Sequence, residues 1–331
     1  MDTNLANYAM RPVPEKDRRF MNDQVFKFVF GKTARKELTI DLLNTFLADE
    51  LESIIRDLSF LPQEDSAENV TDKEARLDVV CLLDNGSRVD IEVQMVDQHN
   101  MIQRALYYWA VQYRGSLPRG SAYQDLMPAV SLNILGFKLF EDNDEPFSSW
   151  GIYNTKTGER LTRGLSLNFL EIPKFAAPNK PRSEWTRMER WMCYFSDPDS
   201  NILTVEKKRE ILQMDATIAK ALEATDLFFQ NPVHRQMYWE SERSRMDRLS
   251  NEKYYRQQGR EEGLKEGREE GLKEGREEGL KEGREEGREE ATERMVVKAM
   301  RKQSVADVAQ FLDLPVDYVQ TIAVKNGITT M

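Results

Sequence analysis

An α/β or α+β domain, built on a mixed sheet flanked by helices and followed by a helical C-terminal extension, is the fold class the sequence predicts. Three observations carry that reading. Two strand-like runs flank Asp84-Asn85-Gly86-Ser87, a strong hairpin turn. Helical patterns stand on both sides of the hairpin. PAVSLNILGF, SWGIYN and LSLNFLEI then supply three further strands. Helix, hairpin, helix and strands in that order imply a mixed sheet.

The elements follow in order. Residues 20–30, FMNDQVFKFVF, predict a short helix with Phe26, Val29 and Phe30 on its apolar side. Thr33 is placed as the N-cap of the next helix, whose apolar residues are Leu38, Leu42, Leu43 and Phe46. Residues 53–60 predict a strand and 61–73 a polar loop. After the hairpin, MIQRALYYWAVQYRG predicts a helix ending near Gly115. Residues 184–195 and 203–258 read as mostly helical, and three short helices are expected after residue 290. Ser304 caps the second of them, and Pro315 suits the first turn of the third.

Composition narrows the class. The 331 residues carry 47 Lys and Arg against 57 Asp and Glu, a formal net charge of -10. Two cysteines exclude a disulfide scaffold and fit a reducing cytoplasm. The first 20 residues lack an apolar signal segment, and no run reaches membrane-spanning length, so a cytoplasmic location without a membrane partner is expected. The acidity is uneven. The eight-residue repeat GREEGLKE, from Gly259 to Glu290, holds five of the ten excess negative charges and eight of the 17 glycines. Glycine at every fourth position allows a stripe for close helix packing or a solvated, partly helical linker, and the helix cost of about 0.8–1.0 kcal/mol per glycine favours the linker. Between Arg11 and Lys36 lie eight basic residues and three acidic ones, which allows either a phosphate-facing strip or ordinary solvated faces.

The hairpin holds the chemistry. Asp78 interrupts an apolar strand, while Asp90, Glu92 and Gln94 alternate with Ile91, Val93 and Met95. A two-residue loop would set Asp78 opposite Val93 and leave apolar residues on both faces. A three-residue loop with a bulge sets it opposite Glu92 and gathers Leu77, Val79, Cys81, Leu83, Val89, Ile91, Val93 and Met95 on one face. A one-residue slip flips every side chain, so burial selects the second register. Asp78, Glu92 and Gln94 then share the other face with Val80 and Leu82. Two such carboxylates suit a hard divalent cation, and an outer sheet face that is merely polar is the plain alternative. Cys81 falls on the apolar face as core. His99, one of two histidines, reads as a surface or capping group.

LDVVCLLDNGSRVDIEVQM, preceded by NDQVFKFVFG and followed by QRALYYWAVQYRGSLPRGSAY, resembles the PD-(D/E)XK nuclease family transposases, also called Rpn recombination-promoting nucleases. The resemblance covers roughly residues 20 to 230, and the Glu-rich glycine repeats are similar to those of many members. It implies a restriction-endonuclease-like core and Mg²⁺ or another divalent ion, with Asp78 and Glu92 as metal ligands beside the Val93 backbone carbonyl. Asp78, Glu92 and Gln94 form the implied catalytic set. Gln94 matches the family's Glu-x-Gln form, which replaces the Lys of the wider superfamily. Asp23 matches an acidic position of the first helix and is a further candidate ligand, acting through water. Lys27 and Arg104 are candidate DNA contacts, and Lys27 could instead pair with Asp23. Tyr107 and Tyr113 read as packing.

The expected organisation is an arm at 1–19, the nuclease-like domain at 20–230, a charged helical segment at 231–258, the repeat linker at 259–290 and a small helical tail at 291–331. The tail has weak helix-turn-helix spacing: Asp313 stands at a turn position that prefers glycine, and only Gln320 could read bases. The function so read is metal-dependent DNA endonuclease activity of the recombination-promoting, transposase-associated type, with DNA as partner and a homo-oligomer formed through the C-terminal helices. The alternative is a catalytically inactive nuclease-fold protein that binds DNA or serves oligomeric assembly.

Overall fold

The computed structural model describes residues 11–51, 53–61, 78–197 and 203–328. Most of the loop predicted at 61–73, together with Leu77, lies outside them. The chain divides into two compact units, one ending at Asn251 and one beginning at Glu252.

The first unit opens with helix α1, Asp23–Phe30. The Asn22 side chain caps it by accepting from the Gln24 N–H. Val25, Phe26, Val29 and Phe30 form its buried stripe, as helical periodicity requires. Helix α2, Lys36–Leu51, follows a single 3₁₀ turn at Thr33–Arg35. Thr33 therefore opens that turn and does not cap α2. Leu38, Leu42, Leu43 and Phe46 are buried as predicted, each worth about 1.5–3 kcal/mol.

Strands β1 (Leu58–Phe60), β2 (Val79–Leu83) and β3 (Arg88–Gln94) come next. Helix α3, Met101–Gly115, crosses to β4, Ala129–Leu135, and β5 (Phe147–Tyr153) and β6 (Arg160–Glu171) complete the sheet. The strand order is β1-β2-β3-β4-β6-β5. The β3–β4 and β4–β6 pairs are parallel and the others antiparallel. The result is the mixed sheet that the sequence predicts.

Helices α4 (Arg187–Phe195), α5 (Val205–Gln213) and α6 (Ala216–Gln230) join α1 and α2 over one face. The core there is aromatic: Phe30 meets Trp191, Tyr194 and Phe195 at centroid distances of 5.6, 6.0 and 5.8 Å. The other face packs under α3, where Met101 and Ala105 meet Leu135, Leu165, Leu167 and Phe169.

Helix α7 runs from Pro232 to Ala299, and the division between the units falls inside it. The glycine repeats are helical throughout, where a partly helical linker was expected. Both flanks are themselves helical, so the repeat need only propagate a helix, which is far cheaper than nucleating one. A Cβ on any glycine from Gly259 to Gly287 would meet nothing within 4 Å. The first of the three short helices expected after residue 290 is the end of α7.

In the second unit that end packs with α8 (Val305–Leu312) and α9 (Val316–Lys325) around Val296, Val308, Val319 and Ala323. Ser304 caps α8 by accepting from the Asp307 N–H. Asp313 holds the left-handed turn conformation at φ 51, which Asp tolerates better than most residues. No described helix is long and apolar enough to cross a membrane.

Candidate active site

The hairpin register decides which side chains meet. Val79 pairs with Ile91, Val80 with Asp90 and Cys81 with Val89. This is the bulged, three-residue-loop register. Gly86 sits at φ 84, and the Leu83 N–H donates to the Ser87 carbonyl at 2.9 Å. Val79, Cys81, Leu83, Val89, Ile91 and Val93 enter the core together. Burial pushes the Cys81 thiol up to about 12, so it is inert.

The opposite face carries Asp90, Glu92 and Gln94, and Asp78 lies one residue before β2. Asp78 is buried at the edge of this face. Its Oδ2 accepts from the Val93 N–H at 2.8 Å, and Lys27 Nζ from α1 lies 3.1 Å from its Oδ1. Lys27 therefore turns to Asp78, not to Asp23, its neighbour one helical turn back. In an extended strand the N–H and C=O of one residue point the same way, so the Val93 carbonyl also faces the β2 side. Burial raises the Asp78 pKa, the Lys27 charge and the Val93 N–H oppose the rise, and the Asp23 charge adds to it.

Glu92 is 1% exposed. Its Oε1 accepts from Gln94 Nε2 at 2.7 Å and from Arg104 on α3. Its Oε2 is buried with no hydrogen-bond partner. Burial lifts its pKa to about 7 and the nearby Asp78 charge adds to this, while Arg104 and Gln94 restrain it. Arg104 also lies 5.0 Å over the Tyr108 ring. Asp90, fully buried, is pushed up to about 8 by burial first and the Glu92 charge second. Neither of its oxygens makes a hydrogen bond of ordinary geometry, although Ser131, its partner on β4, is near enough to ease the shift.

The structure thus brings Asp78, Glu92, Gln94, Lys27 and Arg104 together. Asp23 lies nearby with its carboxylate engaged: Ser241 Oγ donates at 2.6 Å and Gln24 Nε2 at 2.9 Å. Tyr107 is half exposed, and Tyr113 stacks on Trp109 at 5.1 Å. His99 is exposed and pairs with Asp97 at 3.0 Å. The basic strip is largely spent internally. Arg18 pairs with Asp226 at 2.9 Å, Lys36 with Asp57 at 2.5 Å, and Arg35 lies over Phe28.

Sequence reasoning missed the wall that α7 supplies. Asn22 Nδ2 donates to Ser241 Oγ at 3.1 Å and to Glu242 Oε1 at 3.0 Å, and the Tyr238 hydroxyl donates to the Asp17 carbonyl at 2.8 Å. These partners stand about 220 residues apart, beyond any local pattern. The one available signal was the run of Ser, Glu and Arg at helical spacing after Tyr238.

The donor set fits a hard divalent ion. Among the described residues no three His, Cys, Asp or Glu side chains cluster closely enough to hold a metal. Two carboxylates and a main-chain carbonyl are the oxygen donors such ions take, with water completing the shell. The orphaned Glu92 Oε2 is the buried oxygen such an ion would satisfy.

The family profile described as PD-(D/E)XK nuclease family transposase matches residues 20–254, covering the sheet, both carboxylates and the first turns of α7. No curated protein and no solved structure matches the chain. PD-(D/E)XK nucleases generally use divalent metal ions. With the profile spanning most of the chain and the carboxylate hairpin inside it, this protein belongs to the PD-(D/E)XK nuclease family transposases.

Proposed function

We propose that the chain is a metal-dependent DNA endonuclease of the recombination-promoting type, hydrolysing phosphodiester bonds at Asp78 and Glu92. The observation that carries the reading is the meeting of these two buried carboxylates across the hairpin, where burial first and the Asp78 charge second raise the Glu92 pKa and one Glu92 oxygen has no hydrogen-bond partner. Asp78 and Glu92, with the Val93 carbonyl, would hold Mg²⁺ or another divalent ion. Such an ion polarises water and offsets charge on a phosphate. Gln94 fixes the Glu92 carboxylate and presents its amide to the attacking water or a phosphate oxygen. Lys27 and Arg104 hold the two carboxylates ionised and offer cationic edges to the substrate backbone.

The test is incubation of plasmid DNA with the purified chain in Mg²⁺, in EDTA, and as Asp78→Ala. Cleavage is expected only in the first. Cleavage that persists in the other two would overturn the assignment. Calorimetric titration with Mg²⁺ separates it from an inactive nuclease-fold binder, which would take up no ion.

A further inference from the structure

Beside the carboxylates a cleft of about 490 Å³ opens between α1, the end of β3 and the first turns of α7. Gln94, Gln98, Arg104, Arg245 and Arg248 line it. We propose that this cleft binds a second phosphate of the nucleic-acid backbone, flanking the one cleaved, with Arg248 and Arg245 as its ligands. The proposal rests on the nuclease reading and adds residues that the sheet and α3 do not supply.

The cleft also contains Asp23, Glu240 and Glu242, so its formal charge is balanced. The distribution of partners is not balanced. Asp23 is taken by Ser241, Glu242 by Asn22 at 3.0 Å and Arg245 Nε at 3.0 Å, and Glu240 by Gln236 at 2.9 Å. Arg248 makes no ion pair or hydrogen bond among the described residues, and Arg245 has only its Nε engaged, leaving its terminal nitrogens for a ligand. Ser241, Arg245 and Arg248 follow one another at helical spacing along a single stripe that faces the cleft. Guanidinium groups match phosphate oxygens in pairs, and two on one stripe suit a polyanion strand more than a lone carboxylate. Gln94 and Arg104 line the same cleft while bonding Glu92, which places the bound phosphate next to the cleavage centre.

The experiment uses the full chain carrying Asp78→Ala, which binds without cutting, and a short fluorescent DNA duplex read by anisotropy over a salt series. Arg248→Ala is expected to weaken binding about tenfold and to make the salt dependence shallower by about one phosphate. Arg248→Lys should recover the salt slope. Arg243, exposed on α7 outside the cleft, serves as the charge control, and Arg243→Ala should change little. An unchanged affinity and slope in Arg248→Ala, or an equal loss in Arg243→Ala, overturns the cleft assignment alone. A parent chain that binds no duplex overturns the nuclease reading, and the cleft with it.

Discussion

Lys27 Nζ and Asp78 Oδ1 stand 3.1 Å apart, joining α1 to the start of the hairpin. The ammonium favours the ionised carboxylate against the burial that raises its pKa. Lys27→Met keeps the aliphatic stem and removes the charge. Asp78 should then hold its proton to higher pH, so divalent-ion binding should need more alkaline buffer. Calorimetric titration with Mg²⁺ across the neutral range checks this, and an unmoved pH dependence would refute the coupling.

Glu92, lifted to about 7, should set the acid side of the proposed activity. A carboxyl must lose its proton before it can bind a cation, so metal affinity and cleavage should both fall as pH drops below about 7. Gln94→Lys places an ammonium within reach of Glu92 and should move the acid limb of the rate profile down by on the order of one pH unit. A profile that shifts upward would contradict the geometry.

Asp90 affects stability more than chemistry. Its folded pKa of about 8 lies above the ordinary 3.8, so the folded chain binds a proton that the unfolded chain has released. The stability it contributes is full below the ordinary value and is lost as pH rises through about 8. The slope is at most about 1.4 kcal/mol per pH unit for one group. Asp90→Asn should therefore raise Tm relative to the parent at alkaline pH and change it little near pH 4. Melting curves at the two extremes decide it.

The glycine repeats give a test of opposite sign. A Cβ at Gly267 or Gly275 meets nothing within 4 Å. Each Gly→Ala change should stabilise helix by about 0.8–1.0 kcal/mol, visible as greater helical circular dichroism and later fraying on heating. A loss of helicity in either variant would refute this.

How far the site was legible depends on the range of each interaction. The Asp78–Glu92 meeting could be reasoned out because a hairpin is local and burial of Val79, Cys81, Ile91 and Val93 permits one register. Strand β4 and the buried second half of β6 were legible for the same reason, as apolar runs, while the first half of β6, from Arg160, is mostly exposed and carried no such signal. The pairing of Lys27 with Asp78 was not, because Asp23 stood one turn away in sequence while Ser241 took up its carboxylate in space. Thr33 was misplaced because a cap and the first residue of a 3₁₀ turn favour the same small polar side chains. The extent of helix in the repeats was not legible from each glycine alone, because the helical flanks remove the nucleation cost.

The bond from Asn22 to Glu242 spans 220 residues. During synthesis at roughly 5–20 residues per second, α1 waits on the order of 10–45 s before α7 emerges to meet it. Until then the nascent chain carries Asp78 and Glu92 without the wall that holds Arg245 and Arg248. A product that stops short of α7 therefore keeps both carboxylates and lacks the wall of Ser241, Glu242, Arg245 and Arg248, so the order of translation itself delays the assembly of the cleft beside them.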